Sequence, residues 1–110
     1  SSSTLSIQAM EPAKLLAQTQ SLIGTSSSNP WYWMRMTEDL MRMRDWRQAE
    51  TSAQFALNLD PNSLPAIYLL AMIAMEQADY KTAETRLETY LVKVPDAPQA
   101  LLNRAIVRLR

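Results

Sequence analysis

Part of this chain is written twice. Asp45-Trp46-Arg47-Gln48-Ala49-Glu50 aligns with Asp79-Tyr80-Lys81-Thr82-Ala83-Glu84 at an offset of 34 residues. With no gap, Leu57 then falls on Leu91, Pro61 on Pro95, Ala66 on Ala100 and Ala71 on Ala105. A repeat of this length marks a unit too small to bury its own apolar face, which must stack on a neighbouring copy to do so. Whatever one copy folds into, the next must match and fit against.

The spacing inside each copy is helical. Met36, Leu40, Met43 and Trp46 recur at i, i+4, i+7, which predicts one buried face. Ala49, Ala53, Ala56 and Leu57 do the same for a following helix, where small side chains let two helices approach closely. Pro61 and Pro95 each follow a helical run and stop it. Asp60 and Asp79 stand where a carboxylate could accept the free amides of a helix start. Gly scarcity, with Gly24 as the single example, also favours helix over turn-rich β architecture.

These residues resemble the tetratricopeptide repeat (TPR), a 34-residue helix–turn–helix unit. The resemblance divides the chain into a first repeat, Pro30–Ser63, a second, Leu64–Ala97, and Pro98–Arg110 as the first helix of a third repeat or a capping helix. Trp33 matches the family's aromatic at the fourth position, and Ala71 and Ala105 its small residue at the eighth. Trp46 and Tyr80 open the second helices, with Ala49 and Ala83 three residues later. The run Ala56-Leu57-Asn58-Leu59-Asp60-Pro61-Asn62-Ser63 is close to the family's ending. Departures are Thr37 at the eighth position, Ile67 and Leu101 at the fourth, Ala53 in place of a large ring, and Tyr90 where Ala is usual. The fold expected is an all-α solenoid of antiparallel helix pairs.

Ahead of the repeats, residues 1–30 contain eight Ser but only two charged side chains, Glu11 and Lys14, whereas charge is dense from 31 to 50. Residues 1–29 read as a Ser-rich leader. Within it, Leu15, Leu16, Leu22 and Ile23 share a helical face, Pro12 suits a first turn and Gly24 a helix end, which predicts a helix over about 12–23. That makes six helices expected in all. The opening Ser1-Ser2-Ser3, with no initiator Met, suggests a processed or excised piece.

Composition narrows function by exclusion. With no His and no Cys, the commonest general base, the commonest metal ligand and thiolate chemistry are all missing. One Gly cannot build a Gly-rich phosphate cradle. Eleven basic against eleven acidic residues leave no surplus charge for general nucleic-acid binding. The longest apolar run, Ala66 to Met75, is half the ~20 residues a membrane-spanning helix needs. No catalysis, cofactor, metal, nucleic acid or direct membrane insertion is therefore expected.

Three clusters invite sharper readings. Glu84 and Glu88 share a face at i, i+4 and could work as an acid–base pair, but a solvated outer face accounts for them better. Arg35, Arg42, Arg44 and Arg47, interleaved with Trp31, Trp33 and Trp46, could hold a single strand of nucleic acid. Against this, Arg35–Asp39 and Glu38–Arg42 are i, i+4 pairs, worth ~0.2–0.5 kcal/mol each, on a self-neutralised face. Six Met cluster in the first helices of the two repeats: Met34, Met36, Met41, Met43, Met72 and Met75. Thioether alone makes a poor metal site, so core filling explains Met36 and Met43, leaving the others to be explained.

The resemblance supplies an account of those others. In TPR domains the first helix of each repeat lines a concave groove. The matching positions are Trp31, Met34, Glu38 and Met41, then Pro65, Tyr68, Met72 and Met75, then Gln99, Leu102, Ile106 and Leu109, with Leu69 and Asn103 beside them. The strip is mostly apolar, and Met-rich surfaces suit adaptable recognition. The carboxylate-holding specialism of chaperone-binding TPR domains does not carry over, because Met34, Glu38, Leu69, Gln99 and Asn103 stand at its positions and Glu38 would repel a carboxylate. The function implied is protein–protein interaction, as an adaptor or assembly scaffold for an apolar or amphipathic segment. The alternatives are a self-associating module, such as a homodimer, whose groove is covered by its own chain or a second copy, and a secretion chaperone of TPR type.

Overall fold

In a computed structural model, the structure describes residues 28–110 together with Lys14. The described residues form five helices: α1 (Pro30–Arg42), α2 (Trp46–Leu59), α3 (Leu64–Glu76), α4 (Tyr80–Lys93) and α5 (Pro98–Arg108). The leader helix expected over 12–23 lies outside the described residues. First helices start at Pro30, Leu64 and Pro98, and second helices at Trp46 and Tyr80, so every start recurs at the 34-residue offset.

Each boundary has a local chemical cause. Proline stands in the first turn of α1, α3 and α5, where its missing N–H costs nothing. Asn29 caps α1, its Oδ1 accepting from the Trp31 amide at 3.0 Å. Asp45 and Asp79 cap α2 and α4 through the amides of Gln48 (3.2 Å) and Thr82 (3.3 Å). The sequence reading of Asp79 agrees with this, but that of Asp60 does not. Asp60 ends α2 and turns its Oδ1 onto the Asn62 amide, and Ser63 caps α3 through the Ala66 amide at 3.2 Å.

Two apolar clusters form the interior. The first joins Trp33, Met36 and Leu40 of α1, Ala49, Ala53 and Ala56 of α2, and Ala66, Leu70 and Ile73 of α3. The second joins Ala71 and Ala74 of α3 to Ala83, Leu87 and Leu91 of α4 and Ala100 and Val107 of α5. Thus α3 is buried on both flanks, which is why its sequence is apolar nearly all round rather than amphipathic. At the fully buried Thr37 the larger side chain is accommodated because its hydroxyl donates to the Trp33 carbonyl at 2.8 Å. The ring missing at Ala53 is replaced by Phe55, which stacks on Trp33 with centroids 4.8 Å apart.

Two other expectations change. Met43 is 38% exposed, because α1 ends at Arg42 and Met43 belongs to the turn. Ala105 is exposed where its counterpart Ala71 is fully buried, because no helix follows α5 among the described residues.

Candidate functional site

Helices α1 and α3 leave a cleft of about 500 Å³ between them, lined by Met34, Glu38, Leu64, Pro65, Tyr68, Leu69 and, from α4, Tyr90. A second cleft of about 380 Å³ adjoins it, sharing Met34, Glu38 and Pro65 and continuing to Pro30, Trp31, Arg35 and Ser63. The walls are apolar and aromatic. Glu38 is the one charged side chain in the larger cleft, and Arg35 joins it in the smaller.

The floor is held by side chains from three helices. Asn103 of α5 donates through Nδ2 to the Tyr68 hydroxyl at 2.8 Å and reaches the Met72 sulfur at 3.7 Å. The Tyr68 ring meets Tyr90 edge-on, with centroids 5.2 Å apart. Such an edge contact between rings is worth roughly 0.5–1.5 kcal/mol beyond area burial, so Tyr68 is a fixed wall.

Of the residues expected in the groove, Trp31, Met34, Glu38, Tyr68 and Leu69 meet at these clefts, and Asn103 supports Tyr68 from behind. Met41, Met72, Met75, Leu102 and Ile106 line neither cleft. Met41 packs against the first core cluster, and Met72 and Met75 against the second. Ile106 is half-buried, and Leu102 is 54% exposed. Tyr90 was missed as a wall, although its sequence signal was visible: a ring stands where the repeat pattern has Ala.

The charged clusters also resolve. Glu84 and Glu88 converge on Arg108, whose Nε and Nη2 donate to them at 2.8 and 3.2 Å. The hydrogen bonds to Glu84 and then Glu88 raise the Arg108 pKa above its ordinary value, and the two contacts tie α5 to α4. The expected pairs Arg35–Asp39 and Glu38–Arg42 do not form. Arg42 instead bonds Asp39 at 2.9 Å, and Arg35 lies over the Trp31 ring, 6.0 Å from its centroid. Asp39 itself, expected on a solvated face, is fully buried.

The tetratricopeptide repeat family model matches residues 40–105. No curated protein matches the chain. Among solved structures, 21 chains match. One is the Arabidopsis OM64 TPR domain, with a TM-score of 0.84 at 18% sequence identity, covering 97% of this chain and 88% of that one. At that identity the likeness concerns the fold. TPR domains are in general protein–protein interaction modules. The match spans more than half of the sequence, and it coincides with the paired helices and the 34-residue recurrence of their starts: the chain belongs to the tetratricopeptide repeat family.

Proposed function

We propose that this chain is a non-catalytic adaptor or assembly module that takes an apolar or amphipathic protein segment into the cleft between α1 and α3. The observation that carries this reading is the cleft itself. Its walls are mainly apolar, and Trp31, 59% exposed, lines the smaller cleft that adjoins it. Contiguous exposed apolar surface rimmed by polar groups is characteristic of interaction sites.

The test uses a photo-crosslinking amino acid at Leu69, inside the cleft, and another at Val92, which is 77% exposed on α4 and lines neither cleft. Partner crosslinks are expected from Leu69 only. They should disappear in a Trp31→Ala plus Leu69→Glu variant probed from Pro65, which lines both clefts, with circular dichroism unchanged, since none of these residues belongs to or packs against a core cluster. Crosslinks from Val92 alone would move the working surface elsewhere. Tyr68 and Met72 are unsuitable for this experiment, because both pack against the second cluster.

A second reading, self-association, is favoured by the apolar surface at the far end, where Leu102, Leu109 and Val92 are exposed. Light scattering separates the two. A monomer at all concentrations supports the adaptor, and a tight dimer supports self-association.

A further inference from the structure

Resting on that reading, we infer that the segment taken up by the larger cleft is basic: an apolar stretch carrying one Lys or Arg, whose cation pairs with Glu38. Glu38 is exposed, lines both clefts, and has no ion pair or hydrogen bond among the described residues. Two guanidiniums on its own helix are near enough in sequence to neutralise it, and both are engaged elsewhere. Arg42 is drawn to Asp39, and Arg35 is drawn over Trp31. The other walls of the larger cleft come from Leu64, Pro65, Tyr68 and Leu69 of α3 and Tyr90 of α4, and none of these brings a cation. The larger cleft therefore presents a single negative charge among mainly apolar walls.

Charge of this kind acts mainly on specificity. It attracts a cation and, equally, repels an acidic side chain or a C-terminal carboxylate. The smaller cleft carries both signs, because Arg35 lines it together with Glu38. The base of a bound segment therefore lies over Glu38 in the larger cleft, which Arg35 does not line.

The experiment uses dye-labelled octapeptides, acetylated and amidated, with a Leu/Phe/Ser host and one central guest, Lys or Glu. Fluorescence anisotropy with the full chain gives both affinities. The Lys guest is expected to bind about five- to tenfold tighter than the Glu guest at low salt, and the ratio should shrink as salt rises. Glu38→Gln should bring the ratio close to one, and Glu38→Lys should invert it; the site is exposed, so both variants fold. Equal binding of the two guests, or a ratio that survives Glu38→Gln, overturns the charge assignment while leaving the cleft as a binding site. Failure of both guests to bind overturns the cleft reading and this inference together. A dimer that Glu38→Lys dissociates would give the cleft to a second copy of the chain and overturn the inference as well.

Discussion

Arg44 and Ala78 turn the chain inside each helix pair with φ of 60° and 59°, the left-handed region that a side chain disfavours. The conformation is imposed by the end of the preceding helix. After α3 the Ala78 amide donates to the Met75 carbonyl at 3.0 Å and the Asp79 amide to the Ala74 carbonyl at 2.9 Å; after α1 Arg44 and Asp45 repeat the pattern. Glycine is the residue such a helix end favours, and neither turn has it. Nothing in the sequence signalled these left-handed positions for that reason. Relief of the left-handed cost, about 1–2 kcal/mol, exceeds the extra unfolded-state entropy of glycine, about 0.4–1 kcal/mol. Ala78→Gly should therefore stabilise the fold by about 0.5–1 kcal/mol, read as a higher urea midpoint at unchanged slope. A lower midpoint would mean that the turn is unstrained. Asp39 was illegible for a related reason. Its neighbours Glu38 and Arg35 are exposed, and the charge pattern alone cannot tell a salt-bridged buried carboxylate from a solvated one.

At the scale of the helix, legibility came from repetition more than from amphipathic pattern. On its own α3 gives little directional signal, because both of its flanks are buried; its boundaries follow from Ser63, Pro65 and the 34-residue offset to α1 and α5. What the offset could not convey is whether a helix has a neighbour on its far side. Ala71 and Ala105 hold the same register, yet Ala71 is fully buried between helices and Ala105 faces solvent. Identical substitutions should then differ in cost. Ala71→Leu overpacks a close helix contact and should destabilise by about 1–3 kcal/mol, as should Ala49→Leu and Ala83→Leu, both fully buried. Ala105→Leu should stay within about 0.5 kcal/mol of the parent. Equal denaturant midpoints for the Ala71 and Ala105 variants would refute this assignment of helix neighbours.

Across the whole molecule, about half of the candidate groove was legible. A strip along first helices implied Trp31, Met34, Glu38, Tyr68 and Leu69, but one second-helix side chain, the Tyr90 ring, closes the larger cleft through tertiary packing that no linear strip contains. The same stacking logic bears on the N-terminal end. Ile73 of α3 lies in the cluster that α3 shares with the pair before it. Asp39 holds the equivalent register in α1 and is likewise without exposed surface. The flank of α1 that bears Asp39 is thus built like an internal one, and an end repeat needs a cover on its outward flank. The leader, whose Leu15, Leu16, Leu22 and Ile23 recur at the sequence spacing of one helical face, is the segment of this chain with the chemistry to supply it. Deleting residues 1–24 should lower the melting temperature by about 5 °C or more, since roughly 1 kcal/mol moves a domain of this size by 4–8 °C. It should also promote aggregation, through apolar surface newly open to water. A truncated chain that melts at the parent temperature and stays in solution would reduce the leader to a tether, and the enclosure of Asp39 would then be the work of α1 and α2 alone.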